Sequence, residues 1–266
     1  MSSDAVLGGA GRDRPGSPGT GPFRRDGLTA AAGLDWQRDV AAAVGAGHRP
    51  PATLIWRCAP ALVVGGAERG LPGFGDACER LAAEGWPVCG RDIGGSAFPV
   101  GLHSVQLARI LPRRSGASLE RFYRCMAEPV VAVLARLGLG AATGTVPDAF
   151  CAGSRDIAVG GRKLAGLAQV WRGPVDRGGY VMITASVLLD GEPEALCHAV
   201  NRFHELAGGT LRCRPQAVTS VCRELGGVPD GSGLAAAFDA ALAEALSPEA
   251  GDTVPRALPE QAVGSP

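Results

Sequence analysis

The stretch Asp148-Ala-Phe-Cys-Ala-Gly-Ser-Arg-Asp-Ile-Ala-Val-Gly-Gly-Arg-Lys-Leu-Ala-Gly-Leu-Ala-Gln169 decides the fold. Ile157-Ala-Val159 is a short apolar run, Gly160-Gly161 follows, and a second run reaches Val170. Two glycines between strand-like runs predict a tight hairpin, because both turn residues can take positive φ at little cost. Period-two alternation on the second strand would put Lys163, Ala165, Leu167, Gln169 and Trp171 on one face. Lys163 is then the one formal charge on a face of small and apolar groups. Such a lysine is either a snorkelling surface residue or a desolvated, functional ammonium. Cys151, twelve positions upstream, stands at the mouth of the same hairpin.

Outward from the hairpin, the pattern alternates between strands and helices without strict order. On its N-terminal side, Ser118 caps a long helix whose Leu119, Phe122, Tyr123, Met126, Val130, Val133, Leu134 and Leu137 fall at helical spacing, with Pro129 predicting a kink or a break. Earlier still come a helix over Thr29 to Val44, two short strands (Thr53–Arg57 and Ala61–Val64) about a Pro60 turn, and a helix over Gly73 to Glu84. Strands at Pro87–Arg91 and Ser104–Ile110 follow. On the C-terminal side, Tyr180–Leu189 is apolar on both faces and reads as a central strand. Helices follow over Glu192–Leu206, with His198 and His204 as ordinary histidines, over Thr219–Leu225, and over Ser232–Leu246 with Ser232 as N-cap. Strands in two groups with helices between and after them predict an α+β fold, a mixed sheet with flanking helices. Residues 1–27, rich in Gly, Pro, Ser and Arg, read as a disordered leader and 247–266 as a disordered tail, leaving 28–246 as a single domain.

The 266 residues carry 26 basic and 26 acidic side chains, so no basic excess recommends nucleic acid or a membrane surface. Eight cysteines occur without a Cys-X-X-Cys pair, and no Cys/His cluster has metal-finger spacing. Scattered thiols without a signal peptide point to the cytoplasm. Asp92-Ile-Gly-Gly-Ser-Ala-Phe98 ends a strand in glycines; such a loop is either a plain turn or a backbone surface that approaches a carbonyl or phosphate oxygen closely.

The pattern Gly161-Arg-Lys-Leu-Ala-Gly-Leu-Ala-Gln169, after a short apolar strand, resembles the signature of the biotin/lipoate protein ligase and octanoyltransferase superfamily. It is closest to the cysteine-dependent octanoyltransferases. The resemblance runs from about Leu34 to Gly226. It implies a biotin/lipoyl ligase-like catalytic domain in which Lys163 contacts the activated acyl group and Cys151 carries it. It also implies that Arg91, Gly94, Gly95, Ser96 and Ala97, with Gly161, Gly166, Ala168 and Gln169, bind substrate. The family's Arg-Arg-X-X-Gly-Gly-Gly-Ala segment is only partly kept: Gly90 replaces the first arginine and Ser96 the third glycine. Val100 and Thr184 stand where family members often carry histidine.

A thiolate at Cys151 can attack an acyl thioester and divide transfer into two easier steps. Arg155 and Lys163 are near enough in sequence to favour that thiolate if the fold points them at it. Amides of the glycine loop and the Lys163 ammonium would stabilise the oxyanion. Cys151 also reads as a small buried hydrophobe. Three functions stay open: an octanoyl or lipoyl transferase acting from a thioester donor, an ATP-dependent lipoate ligase, and a non-catalytic binder of acyl chains or lipoyl domains. The first implies an acyl carrier protein or a lipoyl-domain protein, including glycine cleavage H-type carriers, as partner, and no cofactor. ATP use is not expected, because only a short loop, one helix and a polar tail follow Gly226.

Overall fold

The computed structural model describes residues 22–227 and 231–246. The expectations for residues 1–21 and 247–266, and for the Ser232 side chain, lie outside the described residues. In chain order the elements are β1 (Phe23–Leu28), α1 (Ala30–Gly45), β2 (Ala52–Cys58), β3 (Ala61–Val64), α2 (Phe74–Ala83), β4 (Val88–Gly90), β5 (Phe98–Val100) and β6 (Ser104–Pro112). They continue with α3 (Leu119–Arg136), β7 (Ala141–Gly144), β8 (Asp156–Val159), β9 (Arg162–Arg172), β10 (Tyr180–Leu188), α4 (Pro193–Ala207), α5 (Val221–Glu224) and α6 (Gly231–Ala245).

A seven-stranded sheet runs β1-β2-β6-β10-β9-β8-β7, and a three-stranded one runs β4-β3-β5. Both are mixed: β1 is parallel to β2 and β4 to β3, while the other pairs are antiparallel. The expected α+β architecture is therefore present. β10, apolar on both faces, sits in the middle of the large sheet, where helices cover it on both sides. Ile183, Ala185 and Val187 face Met126, Val130 and Leu134 of α3, together with Phe238 and Leu242 of α6. Met182 faces α1 through the cluster that holds Trp36, Val40 and Val44.

The small sheet explains why β3 is buried at all four positions. Ala61 and Val63 point into the α1 cluster, whereas Leu62 and Val64 point at α2 and α4, against Leu81, Val200 and Phe203. β2 and β3 are consequently not a hairpin. They leave the Pro60 turn into different sheets: β2 pairs with β6 and β1, and β3 with β4 and β5.

Residues 23–28 correct the expected leader. They form an edge strand in register with β2, Phe23 opposite Leu54 and Arg25 opposite Trp56. Of the arginines that suggested disorder, one lays its guanidinium on an aromatic face and the other meets a carboxylate. Arg25 covers the Trp36 ring at 4.5 Å, and Arg24 pairs with Asp239 of α6. α3 runs as one helix through Pro129, capped by the Ser118 hydroxyl accepting from the Arg121 N–H at 3.2 Å.

Candidate active site

The tight turn between β8 and β9 is present, with φ of 57° at Gly160 and 75° at Gly161. Beyond it the ladder slips. Ala158 pairs with Lys163 but Ile157 pairs with Ala165, so Leu164 is an extra residue on β9. Such a β-bulge re-aims the side chains that flank it. Ala165 and Leu167 join the α3 core. Gln169 donates to the Leu119 carbonyl at 3.1 Å, and Trp171 lies edge-on to Phe122, on that same side. Lys163 shares the other face with Gly166, where an added methyl group would stand 3.3 Å from the lysine Cε and Nζ. The single face expected for Lys163, Ala165, Leu167, Gln169 and Trp171 is thus split in two.

Lys163 is 2% exposed. Its ammonium donates to the carbonyl oxygens of Phe150 (3.0 Å) and Cys151 (2.6 Å) and pairs with Asp156 Oδ1 at 3.0 Å. Three N–H donors meet three acceptors. Lys163 therefore grips the backbone of the cysteine loop and is not lodged in an apolar slot. Asp156 also accepts from the Gly153 N–H at 2.9 Å, closing the loop on itself. Burial pushes the Asp156 carboxyl above its ordinary range, against the pull of Lys163 and the Gly153 N–H. The loop held this way is contorted: Asp148 and Cys151 have φ of 61° and 46°, a region that costs a non-glycine residue energy unless its surroundings enforce it.

On the opposite side of the thiol stands the glycine loop. Arg91, buried just beyond β4, donates to the Ser96 carbonyl (3.2 Å) and to the Cys151 sulfur (3.3 Å), with its guanidinium 4.6 Å from the Phe98 ring centroid. Among the described residues no carboxylate pairs with it. Arg155, expected near the thiol, instead pairs with Glu120 at 2.5 Å on the surface. Gly95, at φ 109°, is wedged between the guanidinium and the thiol: a Cβ there would lie 2.3 Å from Arg91 Nη2 and 2.8 Å from Cys151 Sγ. Gly90 is covered by Arg69, whose Cδ would be 3.1 Å from an added Cβ. Arg69 thus occupies the flank where the resembled pattern has an arginine.

Beneath the loop, Glu68 accepts from the N–H groups of Gly65 (2.9 Å) and Ala97 (2.7 Å), and its Oε1 lies 3.1 Å from His204 Nε2 on α4. Burial works to raise the Glu68 carboxyl, but His204 and the two backbone donors together hold it below its ordinary range.

Cys151, Lys163, Arg91, Gly94, Gly95, Gly166, Ala168 and Gln169 all border one cavity of about 820 Å³ on the α1 side of the large sheet, together with Leu34, Trp56 and Met182. No histidine lines it, and Val100 and Thr184 occupy its wall. Three expected binding residues stand outside the lining. Gly161 belongs to the hairpin turn; Ser96 contributes its carbonyl to Arg91; Ala97 is fully buried with its N–H on Glu68. Sequence reasoning missed Asp156, Glu68, His204 and Arg69. Asp156 carried a usable signal, a carboxylate inside the quoted stretch, but the other three are brought in by tertiary packing alone.

The family model for the lipoyl protein ligase A/B catalytic domain matches residues 29–245. An octanoyl-[GcvH]:protein N-octanoyltransferase from Kyrpidia tusciae is 34% identical over 179 residues, covering 65% of this chain and 62% of that protein. A relative with the same name from Geobacillus kaustophilus is 30% identical over 165 residues, covering 62% and 56%. The chain therefore spans less than two thirds of those relatives' own length. A crystal structure of lipoate-protein ligase A bound with ATP superposes with a TM-score of 0.62 at 19% identity, covering 85% of this chain and 83% of that one. A putative lipoate protein ligase from T. acidophilum with bound lipoic acid gives 0.59 at 19% identity over 84% and 82%. These two likenesses speak to the fold. With the family model running from the head of α1 to the end of α6, the chain belongs to the lipoyl protein ligase A/B catalytic domain family.

Proposed function

We propose that this protein transfers an octanoyl or lipoyl group from a thioester donor to a lysine of a lipoyl-domain protein through an acyl-enzyme at Cys151. One observation carries the reading: the Cys151 sulfur borders the cavity with a buried guanidinium 3.3 Å away that no described carboxylate neutralises. A cation in that position stabilises negative charge on sulfur as it attacks. In the first step the sulfur bonds to the donor's carbonyl carbon, the donor's C–S bond breaks, and the departing thiol leaves with the proton. In the second, the acceptor amine attacks the new thioester, an amide forms, and the Cys151 thiol is regenerated. Lys163 serves by holding the cysteine backbone in its left-handed turn, and N–H groups of the glycine loop receive the carbonyl oxygen. No ATP is needed, since a thioester arrives already activated.

The names of the relatives support a carrier of the glycine cleavage H type as donor, and a second lipoyl-domain protein as acceptor. No helix among the described residues is long and apolar enough to cross a membrane. Free thiols at all eight cysteines suit the reducing cytoplasm, where we place the protein. The test is intact-protein mass spectrometry after incubation with an octanoyl-thioester donor, and separately with octanoate, ATP and magnesium. An octanoyl adduct that maps to Cys151 in the first arm alone is expected. Acceptor modification in the second arm without any thioester donor would replace this reading with the ligase.

A further inference from the structure

We propose that Glu68 and His204 are positioning residues for acyl transfer: they seat the glycine loop so that its free N–H groups face the carbonyl attacked by Cys151. The inference rests on the acyl-enzyme reading above. Its starting point is how Glu68 is used. Both carboxylate oxygens are taken by backbone donors from two separate segments, Gly65 directly after β3 and Ala97 directly before β5. Those segments flank the glycine loop in space. The seat they form leaves no slack, for a Cβ on Gly65 would fall 2.1 Å from the Gly95 carbonyl oxygen. Gly95 in turn abuts the Cys151 sulfur on its other side. Displacement at Glu68 is thus passed through two backbone contacts to the reacting atom.

The latch also decides which amides remain available. Ala97 spends its N–H on Glu68, whereas among the described residues the N–H groups of Gly94, Gly95 and Ser96 meet no acceptor. A run of unspent amides beside a thiol is the arrangement that receives an oxyanion. His204 adds a brace from behind. It stands on α4, whose Val200, Phe203 and Ala207 share a core with Ala97, Ala149 and Phe150. One helix therefore backs both the glycine loop and the cysteine loop, and the approach of His204 to Glu68 ties the glycine loop to that helix.

This role is separable from general structural support, because two reactions at the same sulfur make different demands. Acylation by a thioester builds an oxyanion; alkylation by iodoacetamide does not. In Glu68→Gln an NH₂ group faces a backbone donor, and in Glu68→Asp the carboxylate is too short to span both amides. Acylation of Cys151 by octanoyl-N-acetylcysteamine, followed by intact mass, should slow ~10- to 100-fold in each variant, on the scale of losing one oxyanion donor. Alkylation by iodoacetamide should stay within about twofold, since it draws on no such donor. His204→Gln should show the same split at smaller size.

Acylation within about twofold of the unmodified protein would overturn the proposal, as would acylation and alkylation falling together. Failure of both Glu68 variants to fold would also overturn it, by making the pair a structural keystone. If the unmodified protein itself forms no octanoyl-Cys151, the acyl-enzyme reading fails first.

Discussion

Two buried cations flank one thiol, and they are treated oppositely. Lys163 has a carboxylate and two carbonyls for its three donors, so its charge is compensated and its geometry fixed. Arg91 has one carbonyl, an aromatic ring and the sulfur, and no carboxylate among the described residues. A charge buried without a counter-ion is costly, and it persists where something else exploits it. The charge on the lysine side of the site is therefore compensated, and the arginine side holds the uncompensated charge on which the proposed thiol chemistry would draw. A basic residue's presence beside a nucleophile does not assign its role; its other partners do.

The sharpest break of that comparison is Arg91→Met. It should lower the rate of octanoyl-Cys151 formation ~10²–10³-fold, the scale of a lost transition-state donor, with little change in melting temperature. Single-turnover mass spectrometry reads the rate. Arg91→Lys should recover only part of it, since an ammonium lacks the flat guanidinium that stacks on Phe98 while one of its nitrogens serves both Ser96 and the sulfur.

Lys163→Ala should behave differently, as damage to the fold first. It leaves Asp156 buried without its partner, which costs ~3–5 kcal/mol, read by urea denaturation. The double variant Lys163→Met with Asp156→Leu should regain much of that stability while transfer stays impaired. A stable Lys163→Ala protein would put the lysine back on the chemical side of the comparison.

Gly95→Ala sets the two sides against each other, since its methyl would meet both Arg91 and Cys151 and its φ of 109° disfavours alanine. A loss of acylation of at least ~10-fold is expected. Gly166→Ala presses only on Lys163, at 3.3 Å. It should cost about 1–3 kcal/mol of stability and little rate.

The smallest effect concerns pH. Glu68 has a folded-state value below its unfolded one, so the folded protein binds that proton more weakly. Its contribution is complete above about 4.3, the usual glutamate value, and is lost as pH falls through the lowered one. Asp156, raised by burial, acts in the opposite sense: its share favours the fold at low pH and is lost as pH rises toward the raised value. Melting temperature should therefore fall more steeply on acidification in the unmodified protein than in Glu68→Gln.

Much of this was legible in the chain. The Gly160-Gly161 turn, the central β10, the capped α3 and the convergence of Cys151, Lys163, Arg91, Gly94 and Gly95 follow from local pattern and resemblance. What escaped was set by tertiary contact. No residue type announces the bulge at Leu164, yet it decides that Lys163 turns to the cysteine loop while Gln169 reaches the head of α3. Arg155 lies four residues from Cys151 but turns outward to Glu120, while Arg91, distant in sequence, reaches the sulfur. Glu68 and His204 meet only because β3 and α4 pack around one core.

The strand at residues 23–28 bears on how the protein should be handled. As the outermost member of the large sheet it covers one side of β2, whose Leu54, Ile55 and Trp56 are almost wholly shielded from solvent. Its own sequence, Phe-Arg-Arg-Asp-Gly-Leu, places charge along that rim of the sheet, a feature that discourages strand-to-strand association between molecules. A shortened chain that begins after Leu28 would expose an apolar, unpaired ribbon in place of a charged one. Such a chain should self-associate and precipitate on concentration, so the arginine-rich head, which looks dispensable by composition, acts as a guard on solubility.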